Sequence, residues 1–238
     1  MPDYILYAYF RSSCSARLRI ILHLKNIPFQ HIPINILQDQ QLSDQHRALN
    51  PSASVPLLVC LQEPAHASKQ GQKDQKDQKD NAPGFRIGQS VAAMEYLEEV
   101  HPEIPALPPS SNPRSRALVR VLCAIIASDI QPVTNLRITR RVRALGGVPE
   151  DWNKALMEDG LRAYEEVAKG TAGRYSVGDS LTMADACLMP AVWNAQRYGV
   201  AVERFPTVAR VAGNLGEHPA VRKAEYFRQE DCPEELRT

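Results

Sequence analysis

Residues 4–24 read Tyr-Ile-Leu-Tyr-Ala-Tyr-Phe-Arg-Ser-Ser-Cys-Ser-Ala-Arg-Leu-Arg-Ile-Ile-Leu-His-Leu, and this stretch decides the fold. The aromatic and aliphatic run at 4–9 predicts a β-strand. The small hydroxyl residues at 12–15 are typical of a helix N-cap, and apolar residues recur at helical spacing from Leu18 to Leu24. This spacing places Arg17 and Arg19 on the outward face of the helix. The stretch therefore predicts a strand, a short loop and a helix.

The loop between this strand and this helix is a candidate site for an anion. A helix N-terminus offers unpaired N–H groups and about half a positive charge, so it favours a thiolate. Two thiolates fit the residues: that of Cys14, acting as the protein's own nucleophile, and that of a bound thiol cofactor whose sulfur accepts a hydrogen bond from a serine. In a third interpretation, Ser12–Ser15 only cap the helix. Spacing alone leaves all three open.

The rest of the chain divides into a mixed part and a helical part. Strands are predicted at 29–36, at 54–59 and at 85–87, and a helix opens at Gln89-Ser90. The proline-rich and serine-rich residues 102–113 are typical of a linker. From 114 onward the pattern is helical. We therefore expect an α/β domain at 1–101 and an all-helical domain at 114–238.

One segment does not fit either domain. Residues 62–84 contain a Lys-Asp-Gln repeat at 73–80 and almost no apolar side chain. Such a composition cannot offset the entropy lost on ordering, so the sequence predicts a disordered insertion.

Composition excludes several classes of protein. The 238 residues carry a net charge of +1, so no global field draws the chain to nucleic acid or to an acidic membrane. No stretch reaches the roughly 18–20 apolar residues of a transmembrane helix, and the N-terminus has no secretory pattern. Five widely spaced cysteines without a Cys-x-x-Cys pair favour a reducing compartment, the cytoplasm. The six histidines include no pair spaced i, i+4, so we expect no metal site.

Short motifs along nearly the whole chain, except 62–84, resemble those of the zeta-class glutathione transferases, the family of maleylacetoacetate isomerase. The motifs are Phe10-Arg11-Ser12-Ser13-Cys14-Ser15, Ala48-Leu49-Asn50-Pro51, Val55-Pro56, Gln89-Ser90, Ile130-Gln131-Pro132 and Thr182-Met183-Ala184-Asp185. The resemblance implies a thioredoxin-like α/β N-terminal domain, an all-α C-terminal domain, a homodimer and glutathione as the cofactor.

The resemblance also implies a set of site residues. Ser13, with Ser12 and Cys14, would be catalytic, and Arg11 and Arg197 would bind the carboxylates of an acidic substrate. The residues implied for glutathione are Ser12, Ser13, Gln41, Val55, Pro56, Gln89, Ser90, Gln131 and Asn135. A cis Val55–Pro56 bond would present the backbone of Val55 to the cofactor like an added strand. Gln131 and Asn135 are four residues apart, which predicts that they share one helix face.

The implied reaction is the thiol-assisted cis–trans isomerisation of maleylacetoacetate to fumarylacetoacetate in tyrosine and phenylalanine breakdown, with glutathione transferase side activity. Two rival hypotheses remain. The same scaffold could serve another pathway, such as the biosynthesis of a secondary metabolite, by isomerising or conjugating a different unsaturated acid or quinone. Alternatively, the chain could be a non-catalytic interaction module.

Two further features have a structural interpretation that we prefer to a functional one. The arginines between Arg137 and Arg143 fit a solvated helix face, with a rim that attracts an acidic or phenolic substrate as the alternative. Asp185 stands three residues after Thr182 in a capping-box pattern, which predicts a helix cap and not a catalytic acid.

Overall fold

The N-terminal part is built on a small mixed β-sheet. The structure is a computed structural model that describes residues 2–61 and 84–237. The strands are β1 (Tyr4–Ala8), β2 (Phe29–Pro33), β3 (Leu57–Cys60) and β4 (Phe85–Ile87). Their order in the sheet is β2-β1-β3-β4, with β2 parallel to β1, and with β3 antiparallel to both β1 and β4. This is a thioredoxin-like sheet, as the resemblance implies.

Three of the predicted strands are shorter in the structure, and β1 is shorter only by its last residue, Tyr9. β2 ends at Pro33 and not at Ile36, because Asn35 caps a short 3-10 turn by accepting hydrogen bonds from the amides of Leu37 and Gln38. β3 begins at Leu57, directly after a cis Val55–Pro56 bond. The predicted insertion, apart from Gly84, lies outside the described residues.

Ten helices accompany the sheet in the described parts of the chain, together with several short 3-10 turns. Three belong to the N-terminal part: α1 (Ser13–Leu24), α2 (Asp44–Leu49) and α3 (Ser90–Val100). The others are α4 (Pro113–Ala124), α5 (Gln131–Thr134), α6 (Leu136–Ala144), α7 (Pro149–Ala168), α8 (Met183–Arg197), α9 (Pro206–Glu217) and α10 (Pro219–Ala224). A π-helical segment, Ile125–Ile130, joins α4 to α5.

The prediction that Arg17 and Arg19 face outward is wrong. Their side chains are 2% and 0% exposed, because α1 lies between the sheet and helices α8 and α10 and has no solvent-facing side. Arg19 donates hydrogen bonds to the carbonyl oxygens of Tyr9, Phe10 and Ala224 at 2.8–3.5 Å. Burial lowers the pKa of Arg19 to about 10, partly offset by the charge of a nearby aspartate. Arg19 therefore joins the loop after β1 to the end of α10.

The predicted cap on α8 is confirmed. The carboxylate of Asp185 is fully buried and accepts hydrogen bonds from the amide and hydroxyl of Thr182 and from the amide of Ser176, at 2.8–2.9 Å. All these bonds lie within the fold, so Asp185 is a structural residue.

Residues 113–144 form a long helical run that is more apolar than the sequence analysis predicts for any stretch. By length and composition alone, the helical run 113–144 could cross a membrane. Its apolar residues Val119, Leu122, Ile126 and Ile130 are buried against neighbouring helices, so one side of the run packs into the core.

A buried ion pair fixes the segment between the sheet and the helical part. The amine of Lys25, at the end of α1, donates to the carboxylate of Glu98 at 2.7 Å and to the carbonyl oxygens of His101 and Ile104 at 2.8 Å. Glu98 in turn accepts the amides of Ala106 and Leu107. The pair thus holds residues 101–107 against α1 and α3.

We expect Lys25→Met to lower the free energy of unfolding by about 3–5 kcal/mol, because it leaves the carboxylate of Glu98 buried without its charge partner. Urea denaturation followed by circular dichroism measures the loss. Lys169→Met, which removes an exposed pair with Glu166, is the matched control and should change stability little. Equal stability of the two variants would contradict this role of Lys25.

Candidate active site

Two cavities meet at the N-terminus of α1. The larger is an open cleft of about 840 Å³, and the smaller has a volume of about 190 Å³. Ser12 lines both cavities, while Cys14 lines the cleft and Ser13 lines the smaller cavity. The start of α1 is therefore the wall that separates them, and its N–H groups are available to anions on either side.

The three residues Ser12, Ser13 and Cys14 differ in what they contact. The hydroxyl of Ser12 accepts a hydrogen bond from the amide of Ser15 at 3.2 Å, so Ser12 caps α1. The hydroxyl of Ser13 has no hydrogen-bond partner among the described residues and is partly exposed in the smaller cavity. Cys14 is a partly exposed free thiol. The capping interpretation thus accounts for Ser12 and leaves Ser13 and Cys14 free for chemistry.

The larger cleft brings together residues from distant parts of the chain. The lining residues that the sequence predicts for a cofactor are Ser12, Gln41, Val55, Pro56, Gln89, Ser90, Gln131 and Asn135. Gln89 occupies the N-cap position of α3 without a side-chain capping bond, and Ser90 is the first residue of the helix, so both stand at a helix N-terminus. The backbone N–H and C=O of Val55 make no hydrogen bond within residues 2–61 and 84–237. The cleft therefore presents an unpaired strand edge beside a helix start.

The prediction that Gln131 and Asn135 share one helix face is wrong. α5 ends at Thr134, and Asn135 has an extended backbone that caps α6, with its side-chain oxygen accepting the amide of Ile138 at 3.1 Å. The amide nitrogen of Asn135 donates to the carbonyl of Pro132 at 2.9 Å. Both residues nevertheless line the cleft, because the turn between α5 and α6 borders it.

Arg17 also lines the cleft, and the sequence analysis did not identify it as a site residue. Its guanidinium donates to the hydroxyl of Ser90 at 3.2 Å, whereas its Nε and Nη2 have no partner in the described part of the chain. Burial opposes the charge of Arg17, but the pKa of Arg17 is raised overall, because Cys14, Cys187 and Cys123 attract the guanidinium when they are ionised. The sequence signal was an arginine inside an apolar helix directly after the serine motif.

These unpaired groups define what the cleft can hold. Arg17 offers two buried donors, and the side-chain oxygen Oε1 of Gln41 is a buried acceptor without a partner in the parts of the chain that are described. A buried cation without a counter-charge is costly, so a carboxylate is the complementary ligand group. With the free backbone groups of Val55, the cleft fits an extended peptide that carries a carboxylate, which agrees with the predicted glutathione.

The smaller cavity is basic on one side and apolar on the other. Arg11 and Arg197, the predicted substrate residues, both line it, and neither forms an ion pair with any residue that the structure describes. Arg11 lies over the ring of Phe10 at 5.7 Å from its centroid. The apolar lining residues, which the sequence analysis did not identify, include Trp193, Tyr226 and Leu236. Such a cavity suits a small acid whose carboxylates meet the arginines.

The arginine cluster on α6 splits between the cleft and the surface. Arg137, Arg140 and Arg141 line the cleft, while Arg143 pairs with Glu150 at 3.5 Å. Arg140 binds the carboxylate of Asp39 at 2.6 Å and holds the pKa of that group below its usual value. The cluster is therefore partly a rim of the cleft and partly a solvated face.

No group of three or more His, Cys, Asp or Glu side chains that could hold a metal ion occurs in residues 2–61 and 84–237.

Two family models match this chain. The N-terminal domain of glutathione S-transferase matches residues 11–100, and the C-terminal domain of glutathione S-transferase matches residues 149–230. Maleylacetoacetate isomerase maiA of Aspergillus fumigatus is 51% identical, over 99% of this chain and 96% of that protein.

Solved structures of other proteins are similar to this chain over nearly its whole length. The holo structure of a maleyl pyruvate isomerase, a bacterial zeta-class glutathione S-transferase, has a TM-score of 0.82 and 32% identity, covering 96% of this chain and 100% of that one. Maleylacetoacetate isomerase from Anaeromyxobacter dehalogenans, with dicarboxyethyl glutathione and citrate in its active site, has a TM-score of 0.81 and 31% identity, covering 99% of this chain and 97% of that one.

We expect Arg17→Met to weaken the binding of S-methylglutathione about tenfold to hundredfold, because a hydrogen bond to a charged group contributes about 1.5–3 kcal/mol. Isothermal titration calorimetry measures the dissociation constant. Arg162→Met removes an exposed arginine of α7 and is the matched control. Unchanged affinity in Arg17→Met would show that the ligand's carboxylate binds elsewhere.

Proposed function

Because this chain belongs to the zeta-class glutathione transferases, the family of maleylacetoacetate isomerase, we propose that it converts maleylacetoacetate to fumarylacetoacetate with glutathione as cofactor. The 51% identity to a maleylacetoacetate isomerase over nearly the full length of both chains carries this proposal. The geometry supports it, since a peptide-binding cleft and an arginine-lined cavity meet at Ser12 and Ser13.

The cleft residues hold the cofactor in this proposal. Gln89, Ser90 and Arg17 bind the γ-glutamyl carboxylate at the start of α3, where the helix dipole adds to the charge of the arginine. The backbone of Val55 pairs with the cysteinyl residue. Gln41 serves the glycyl end, and Gln131 and Asn135 close the cleft from the helical side.

The smaller cavity holds the acidic substrate. Arg11 and Arg197 bind its carboxylates and stabilise the negative charge that develops on its carbonyl oxygens. Bound glutathione supplies a thiolate that adds to the cis double bond and leaves again once the bond has rotated. Ser13 and the N-terminus of α1 stabilise negative charge at the junction of the cavities, which lowers the pKa of a thiol bound there.

The assembly and location of the protein complete the proposal. We infer a homodimer whose interface includes Phe85 of β4 and Val121 of α4, which are 59% and 45% exposed. The ring of Phe85 contacts Tyr96 of α3, so the apolar surface at Phe85 extends from β4 to α3. All five cysteines are free, which supports a reducing compartment, the cytoplasm. The proposed domains are residues 1–101 and 114–238, joined by 102–113.

We expect Ser13→Ala to lower kcat for maleylacetoacetate about 100-fold or more, because one hydrogen-bond donor to a developing anion contributes on the order of 10²–10³ in rate. Cys14→Ala should leave kcat almost unchanged, because the cofactor provides the reactive sulfur. Turnover at saturating glutathione measures both. An inactive Cys14→Ala with a normal Ser13→Ala would make Cys14 the nucleophile instead. Turnover of model electrophiles without isomerisation would favour another substrate for this scaffold.

We expect Phe85→Asp to convert the dimer to a monomer, because it places a charge in the apolar centre of the proposed interface. Sedimentation velocity measures the mass. Leu145→Asp is the matched control, since Leu145 is 87% exposed in the turn after α6. If Leu145→Asp is a monomer and Phe85→Asp remains a dimer, the interface includes the turn after α6 and not β4.

A further inference from the structure

The last described segment, residues 225–237, contains only short 3-10 turns, at Tyr226–Arg228 and Glu234–Leu236. Its fold is fixed by side chains: Arg237 donates to the carbonyl oxygens of Cys232 and Glu230 at 2.9 and 2.8 Å. We call residues 230–237 the C-terminal strap. Its conformation is specific although it has no long helix.

The strap contacts the loop that carries Arg11 and Ser13. The carboxylate of Asp231 accepts a hydrogen bond from the backbone amide of Phe10 at 2.8 Å, across 221 residues of sequence. Cys232 is 2% exposed and lies in a small apolar cluster with Tyr9 and Phe10, separate from the main core. The strap is therefore attached to the N-terminal part at the residue that precedes Arg11.

Two buried groups hold the peptide units on either side of Phe10. Asp231 binds its N–H, and the guanidinium of Arg19 binds its C=O at 2.8 Å. His31 lies beside this arrangement, with its Nε2 3.9 Å from the carboxylate of Asp231. Burial lowers the pKa of His31, and the charge of Asp231 partly offsets this effect. The backbone position of Arg11 thus depends directly on Asp231.

The strap also lines the smaller cavity. Leu236 lies in the wall of that cavity together with Tyr226 and Trp193, whose rings meet edge to face at 6.2 Å between centroids. Leu236 is 42% exposed, so its side chain is only partly packed against the other described residues. This apolar wall completes a cavity whose other walls carry Arg11 and Arg197.

We propose that the C-terminal strap is part of the substrate site: Asp231 positions Arg11 through the amide of Phe10, and Leu236 forms an apolar wall against the acidic substrate. This inference rests on the proposed function, because it assumes that carboxylates bind in the smaller cavity. Asp231 is a positioning residue that does not touch the substrate, and the strap determines substrate affinity without affecting the cofactor cleft.

The test compares two ligands that share the glutathione portion. S-methylglutathione probes the cleft, and S-(1,2-dicarboxyethyl)glutathione adds two carboxylates that reach the smaller cavity. Calorimetry gives both dissociation constants for each variant, and their ratio reports the contribution of the substrate cavity without requiring turnover. The wild-type protein should bind the dicarboxyethyl ligand at least about tenfold more tightly, because charge-assisted bonds to arginine are the strong ones.

Asp231→Ala should reduce this preference about tenfold, because the amide of Phe10 loses its acceptor and Arg11 loses its fixed position. Binding of S-methylglutathione should change less than about twofold, because Phe10, whose amide Asp231 binds, does not line the cleft. Asp231→Asn should rescue the preference, since its amide oxygen can accept the same hydrogen bond. Leu236→Ala, which leaves the anchor intact, should weaken only the dicarboxyethyl ligand.

Glu234→Ala is the matched control, because Glu234 is an exposed acid on the same strap. An unchanged preference in both Asp231→Ala and Leu236→Ala overturns the inference, as does an Asp231→Asn variant that behaves like Asp231→Ala. A wild-type protein that binds S-methylglutathione and shows no preference for the dicarboxyethyl ligand overturns the proposed substrate class and the inference with it. If the wild-type protein prefers the dicarboxyethyl ligand and both Asp231→Ala and Leu236→Ala keep that preference, the inference is overturned and the proposed function stands.

Discussion

Burial of helix α1 on every side is the constraint on which the rest of the structure depends. The helix lies between the sheet and α8 and α10, so its polar side chains must find partners inside the protein. Arg19 satisfies this requirement with backbone carbonyl oxygens and connects the loop after β1 to α10. The same helix ends at Lys25 in a buried ion pair, so α1 is held at its middle by Arg19 and at its C-terminal end by Lys25.

The division of labour at the N-terminus of α1 follows from hydrogen bonding. The hydroxyl of Ser12 accepts the capping hydrogen bond of α1. The hydroxyl of Ser13 is not needed for this cap and has no hydrogen-bond partner among the described residues. The charge distribution continues the division. A buried guanidinium without a carboxylate partner in the described residues lies beneath the cleft, and two arginines line the smaller cavity. A protein with a net charge of +1 therefore concentrates positive charge at the cleft and at the smaller cavity.

Local sequence patterns predicted the strands and several helix starts, because caps, prolines and apolar periodicity act over a few neighbours. Most of the cleft residues were predicted from the family resemblance and not from these patterns. The local patterns failed where the outcome depends on contacts distant in sequence. Nothing near Arg17 and Arg19 in the chain reveals that α8 and α10 cover them. The break at Asn135 was equally hidden, because its side chain fits a helix cap as well as a helix interior. Asp231 and Leu236 were missed since only the folded chain brings them to Phe10 and Ser13.

The walls of the smaller cavity come from three regions, at 10–19, at 190–197 and at 226–236, and only the first of these also borders the cleft. Substitutions in the other two regions can therefore alter the shape of the cavity and leave the thiol-activating groups in place. This separation gives the scaffold an evolutionary freedom: new electrophiles can be accommodated by divergence in the helical half of the chain, while the inherited sulfur chemistry is retained unchanged.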